Sequence, residues 1–191
     1  MKIHIARHGQ TAWSQSGRHT GRNDIPLTPE GEEEARKLGL RLQRLPFGKV
    51  LTSPLRRAKR TCELAGYGDR AESRPDLVEW NYGDYEGLRY PEIKARQPDW
   101  ILFRDGCPGG ESPADVVLRA DRTIAALKAD GVDTLIFAHG HFLRVLAARW
   151  IEQSAEAAGR LSLSPASLSI LSIDTHTAVP LIERWNDISH L

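Results

Sequence analysis

Ile3-His4-Ile5-Ala6-Arg7-His8-Gly9-Gln10-Thr11 is the stretch on which the fold turns. The alternating Ile3, His4 and Ile5 mark a short strand. A strand ending near Ala6 delivers Arg7 and His8 to its C-terminal end, where open α/β sheets place their ligand crevices. A neutral imidazole is a nucleophile, and a guanidinium beside it offers a planar fork of donors for a phosphate or carboxylate. On the tripeptide alone a solvated strand end with a flexible glycine is the favoured reading, so its meaning depends on what else reaches the same crevice.

Two later segments have the same form. Val50-Leu51-Thr52-Ser53 reads as a buried strand, and Pro54 opens a helix with Leu55, Ala58, Cys62 and Ala65 facing inward. Arg56, Arg57, Lys59 and Arg60 crowd its first two turns, where cations oppose the helix dipole unless an anion is near. Thr134-Leu135-Ile136-Phe137-Ala138 is the strongest buried-strand pattern. It ends at His139-Gly140-His141 before a helix predicted from Phe142 to Gln153, whose first N–H groups can receive an anion.

The connecting segments are legible too. Trp13 to Asp24 reads as a long ordered loop beside a cleft. Thr28 caps a helix that starts at Pro29 and carries the core stripe Ala35, Leu38, Leu42 and Leu45. Leu77 to Gly87 is an aromatic and acidic loop that includes Glu79. Ser112 and Asp115 form a capping pattern before the stripe Val116, Ala120, Ile124 and Leu127; Glu111 is either catalytic or positions the entry, and positioning is the favoured reading. Ser167–Ile173 and Ala178–Trp185 form a terminal hairpin.

A length of 191 residues suits one domain over 1–191, and 26 basic against 25 acidic residues leave a net charge of +1. Such a balance gives no general attraction to nucleic acid or membrane, so anion binding has to come from locally gathered arginines. Cys62 and Cys107 make no disulfide framework, and neither a signal-peptide core nor a run of membrane-spanning length is present. A cytoplasmic location is expected.

Arg7-His8-Gly9, Thr20-Gly21 with Asp24, Leu27-Thr28-x-x-Gly31, Ser53-Pro54-Leu55-Arg56-Arg57-Ala58-x-x-Thr61, Glu79-x-x-Tyr82-Gly83-x-x-Glu86-Gly87 and His139-Gly140 occur in that order. The series resembles the histidine phosphatase superfamily, also called phosphoglycerate mutase-like. The resemblance implies an α/β fold of three α/β/α layers around a mostly parallel central sheet. It implies that His8 is the nucleophile that becomes phosphorylated, with Arg7, Arg57 and an imidazolium at His139 holding the phosphoryl oxygens. Of the two neighbouring arginines it selects Arg57, the one before Ala58. Glu79 matches the proton donor, which later serves as base toward water, and Glu86 a structural partner. His8 needs its other nitrogen to donate to a fixed acceptor, expected to be a nearby backbone carbonyl. Ser14, Thr20, Gly21, Tyr82 and Gly140 fall at substrate contacts, while His141 stands where many relatives carry glycine or a small residue. No metal and no cofactor are expected, since His139-x-His141 with His8 lacks a third-ligand spacing and faces arginines.

Family mutases carry a longer insertion after the Glu-x-x-Tyr-Gly block. Here only Leu88 to Gly109 intervenes, with Arg89, Lys94, Arg96 and Arg104 among Tyr90, Trp100 and Phe103. The phosphatase branch is therefore favoured, similar to broad-specificity acid phosphatases and sedoheptulose-bisphosphatase-like enzymes. The expected activity is phosphomonoester hydrolysis through phosphohistidine on small phosphorylated metabolites, sugar phosphates first among them. The alternatives are a cofactor-dependent phosphoglycerate mutase and a non-catalytic phospho-ligand-binding module. A small phosphorylated substrate is the expected partner, nucleic acid and membrane are not, and a homodimer is left open.

Overall fold

The first strand is an interior strand. In the computed structural model, which describes residues 1–43 and 45–191, β1 (Lys2–Arg7) lies between β4 (Thr134–Ala138) and β5 (Leu168–Ile173). Beyond β4 come β2 (Lys49–Thr52) and β3 (Ala71–Ser73), and beyond β5 comes β6 (Pro180–Asp187). The pairings β3-β2, β2-β4 and β4-β1 are parallel, whereas β1-β5 and β5-β6 are antiparallel. The sheet is mostly parallel, with the terminal hairpin added along one side. Register sets the site: Arg7 lies opposite Ala138 and Thr52 opposite Phe137, so β1, β4 and β2 end side by side.

Every residue of β4 is buried, as expected for a parallel strand covered on both faces. One face, with Ile3, Ile5, Leu51 and Ile136, packs on α6 (Pro113–Asp130) and α7 (Gly140–Trp150). The other, with Ala6, Val50, Leu135 and Phe137, packs on α2 (Pro29–Leu42) and α3 (Arg56–Leu64). These are the three α/β/α layers expected from the sequence. The caps follow the sequence: Thr28 Oγ1 accepts from the Gly31 N–H at 3.0 Å, and Ser112 Oγ from the Asp115 N–H at 3.2 Å. Val116, Ala120, Ile124 and Leu127 all face the core, as do Ala35, Leu38 and Leu42, while Leu45 is half-buried.

Several local expectations need correction. Trp13 to Asp24 is not loop throughout, because Ala12–Ser16 forms the short helix α1. Thr11 and Ser14 cap it reciprocally, and Gly17 closes it in the left-handed region at φ 72°. The helix after Pro54 begins at Arg56 with Leu55 as its cap, and the helix after β4 begins at Gly140 and ends at Trp150. The sequence showed neither β3, three residues without alternation, nor α4 (Tyr90–Arg96) and α5 (Leu102–Asp105). Among the described residues no helix is long and apolar enough to cross a membrane.

Candidate active site

His8 follows the end of β1 and is 4% exposed. Its Nδ1 lies 2.7 Å from the Gly9 carbonyl oxygen. A carbonyl only accepts, so Nδ1 carries the hydrogen and Nε2 keeps its lone pair. Burial, then Arg57 and Arg7, hold the imidazole pKa well below its ordinary value, so the ring is neutral near pH 7. The acceptor is fixed in turn. The Gly9 N–H donates to Thr61 Oγ1 at 3.0 Å, and Thr61 Oγ1 donates to the Arg57 carbonyl at 2.8 Å. Nothing larger than glycine fits here: a Cβ on Gly9 would lie 2.2 Å from the Gly31 oxygen, and one on Gly31 2.1 Å from the Gln10 oxygen. The first turn of α2 thus rests directly on the backbone beyond His8.

Arg57 has no exposed surface. Its Nε donates to His139 Nδ1 at 3.1 Å, Nη1 to the Asn23 carbonyl at 3.0 Å, and Nη2 to the Thr20 and Gly21 carbonyls at 2.9 Å each. A guanidinium only donates, so His139 Nδ1 is an acceptor and its Nε2–H donates to Ser53 Oγ at 2.7 Å. His139 is therefore neutral in this structure, not the imidazolium expected from the sequence. Burial and the neighbouring Arg57 push its pKa well down.

Two carboxylates shape the loop over Arg57. Glu86 Oε1 accepts from the Gly21 N–H at 2.6 Å and from that of Asn23 at 3.4 Å, which turns the loop carbonyls toward the guanidinium. Asp24 Oδ1 accepts from the Arg56 N–H at 2.7 Å and is the anion that the arginine-rich start of α3 requires. Glu79 belongs to a third group. Its Oε1 accepts from the Trp80 and Phe142 N–H groups at 2.9 and 2.8 Å, and its Oε2 from His141 N–H at 3.0 Å. The carboxyl thus sits at the N-terminus of α7, and Oε2, with one donor against two, is the oxygen with room for a proton.

Arg7, His8 and Glu79 open into one cleft of about 300 Å³. The Arg7 Nη1 donates to the Leu163 carbonyl at 2.5 Å, and its buried Nε has no partner among the described residues. An imidazole lone pair, an incompletely paired guanidinium and a carboxyl group facing one space can carry out nucleophilic displacement on an anionic ester with proton transfer to the leaving group.

Residues 3–188 match the family model of the histidine phosphatase superfamily, branch 1. The chain belongs to this superfamily. An acid phosphatase of Mycobacterium tuberculosis is 40% identical over 177 residues, 91% of this chain and 87% of that protein. A sedoheptulose 1,7-bisphosphatase of Saccharomyces cerevisiae is 39% identical over 180 residues, 76% of this chain and 66% of that one. The solved structure of a Mycobacterium tuberculosis open reading frame product is similar with a TM-score of 0.91 at 36% identity, covering 97% of this chain and 96% of that one.

In this histidine phosphatase, seven of the residues marked from the sequence line the cleft: Arg7, His8, Ser14, Thr20, Glu79, Tyr82 and Gly140. Arg57 and His139 stand behind His8, whose ring centre is 5.3 Å from that of His139. Gly21 is also set back; its N–H is taken by Glu86, and a Cβ there would lie 2.5 Å from the Trp80 oxygen. The Ser14 hydroxyl is engaged by the cap of α1, donating to the Thr11 carbonyl at 3.0 Å. Glu111 holds Arg119 at 2.8 Å and the Asn81 N–H at 2.8 Å, a positioning arrangement as expected.

Arg18, His19 and Arg144 line the cleft without having been singled out from the sequence. Arg144 was findable, because it lies one helical turn beyond His141 on the same face of α7. The His141 ring is held by Tyr82, whose hydroxyl bonds its Nδ1, and burial lowers its pKa well below the ordinary value. Among the described residues no three His, Cys, Asp or Glu side chains gather as a metal-binding group.

Proposed function

We propose that this histidine phosphatase hydrolyses phosphomonoesters through a phosphohistidine formed on His8 Nε2. The supporting observation is the His8–Gly9 hydrogen bond, which leaves the nucleophilic lone pair on the nitrogen that faces an arginine-bearing cleft. Nε2 attacks phosphorus in line with the leaving oxygen. Arg7, with its incompletely paired fork, neutralises charge on the equatorial oxygens, and Arg57, fixed behind His8 by neutral His139 and three loop carbonyls, adds positive charge to the site without facing the cleft. Glu79 gives a proton from Oε2 to the leaving alkoxide as the P–O bond breaks. The resulting carboxylate then takes a proton from water as that water attacks phosphorus, breaking the P–N bond and restoring neutral His8.

Relatives named as phosphatases favour hydrolysis over transfer to a second acceptor. The substrates are small phosphorylated metabolites, sugar phosphates first; a cleft of about 300 Å³ is of the size that holds one. A cytoplasmic setting fits Cys62 and Cys107, which are free and buried, with thiol pKa values pushed up to about 12 by burial. Rapid quenching with a phosphate-labelled substrate tests the central step. An acid-labile, alkali-stable phosphoprotein is expected, and label or turnover surviving in His8→Ala overturns the mechanism.

A further inference from the structure

Arg7 and Arg57 are held very differently. Arg57 makes four side-chain hydrogen bonds, whereas among the described residues the Arg7 guanidinium makes one, to the Leu163 carbonyl, and its buried Nε makes none. The direction of the Arg7 fork therefore depends on a single carbonyl, carried by the loop 162–167. The same loop touches the backbone of both cleft residues: the Ala166 N–H donates to the His8 carbonyl at 3.1 Å, and the Arg7 N–H to the Ser167 carbonyl at 3.3 Å.

That loop is gripped from the far side by the C-terminal segment. Asn186 Oδ1 accepts from the Ser164 N–H at 2.7 Å, Trp185 Nε1 donates to the Ser162 carbonyl at 2.6 Å, and His190 Nε2 donates to the Ala166 carbonyl at 3.0 Å. Two residues of this assembly lie in the left-handed region without being glycine, Ala166 at φ 50° and Asn186 at φ 53°. The β5-β6 register also slips between Leu168 and Ile170. Strained backbone of this kind persists where the surroundings over-determine it, and it concentrates where geometry matters to function. None of Trp185, Asn186 and His190 lines the cleft.

We propose that Asn186 and His190 are positioning residues for the phosphate clamp, acting through the loop 162–167 on Arg7 and on the backbone of His8. The inference rests on Arg7 being a phosphate ligand of the proposed reaction. Asn186 suits the task because asparagine tolerates the left-handed conformation while offering a side-chain acceptor.

Asn186→Gly keeps the backbone conformation and deletes the acceptor, whereas Asn186→Asp keeps both. Calorimetric titration with inorganic phosphate reads the clamp without turnover, and kcat and KM are measured in parallel. For Asn186→Gly we expect phosphate affinity and kcat/KM to fall together by about tenfold, the loss of one well-aligned hydrogen bond to a charged ligand. Asn186→Asp should stay within about twofold of wild type. His190→Ala, a second and independent variant, should weaken phosphate by a smaller factor in the same sense. Arg184→Ala, which removes an ion pair with Asp187 from the same strand at 2.8 Å, is the control that should change stability alone. Wild-type phosphate affinity in folded Asn186→Gly or in His190→Ala overturns the proposal, as does an Asn186→Asp as weak as the glycine variant. Turnover surviving in His8→Ala would instead remove the covalent mechanism and leave the phosphate titrations to decide the clamp.

Discussion

Arg57 Nε donates to His139 Nδ1 at 3.1 Å, and this contact sets the charge of the site. With His139 neutral, the fixed positive charge of the site comes from the arginines, and His8 and His139 contribute hydrogen bonds and a lone pair. Guanidinium cations do not lose their protons near neutral pH, so that charge does not titrate there.

Arg57 and Arg56 should separate cleanly. Arg57→Ala leaves three loop carbonyls and His139 without their donor inside the protein, so a stability loss of about 3 kcal/mol or more is expected, together with loss of turnover. Arg56 is exposed, and its backbone N–H, not its side chain, meets Asp24. Arg56→Ala should stay within about 0.5 kcal/mol of wild type and keep full activity. Equal losses in urea unfolding and in assays of the two would contradict the assignment.

Replacing Glu79 by Gln puts an amide N–H group against one of the backbone N–H donors of Trp80, His141 or Phe142 and removes the transferable proton. Alkyl phosphate turnover should fall by about two to four orders of magnitude, and aryl phosphates with acidic leaving groups should fall less. Rates plotted against leaving-group pKa should steepen in the variant. Parallel plots for the two enzymes would remove Glu79 from the acid's role.

Gly31→Ala forces a methyl group to 2.1 Å from the Gln10 oxygen, with backbone on both sides. Backbone has to move, so a cost of about 1–3 kcal/mol is expected from overpacking. Because the same contact seats Gly9 and hence the acceptor of His8, kcat should fall as well. A variant of lowered melting temperature with unchanged kcat would show that the packing does not reach the imidazole.

Acid should destabilise the fold from about pH 6.5 downward. Burial is the first cause lowering the pKa values of His8, His19, His139 and His141 in the folded protein. Between the ordinary histidine value and those lower ones the unfolded chain binds more protons than the folded one, so stability rises with pH across that window and is lost as pH falls through it. Urea midpoints measured from pH 7 to pH 5 should decline with net proton uptake on unfolding. A flat profile would mean that these rings do not stay neutral.

Most of the architecture was legible because its signals are local. The stripe from Val116 to Leu127, the cap at Thr28 and the apolar run Thr134–Ala138 each carry their own periodicity or chemistry, and all three appear where expected. Helix α1 is not legible in the sequence because its cap is a Thr11/Ser14 pair inside a polar stretch, where those residues serve turns equally well. Of the side chains that line the cleft, Arg7, His8, Glu79 and Tyr82 stand in recognisable motifs, whereas Arg18, His19 and Arg144 do not, and groups that contribute only backbone leave no mark at all. Leu163 and Ala166 contribute a carbonyl and an N–H, which any residue could supply, so no residue type pointed to them. The neutrality of His139 is hidden from the sequence for a related reason. A histidine beside arginines suggests a cation only until the direction of the Arg57 Nε hydrogen bond is known.

The pairing of β1 has a consequence for how the chain is made. Its neighbours are Thr134–Ala138 and Leu168–Ser172, so Ile3 meets Thr134 only after 131 further residues have been synthesised. At about 5–20 residues per second that interval is roughly 7–26 seconds, during which an apolar strand emerges without a partner. Long-range pairing of this kind slows folding and exposes an unpaired edge. His8 therefore leaves the ribosome well before the two strands that enclose β1, and its final surroundings form only once β4 and β5 have followed.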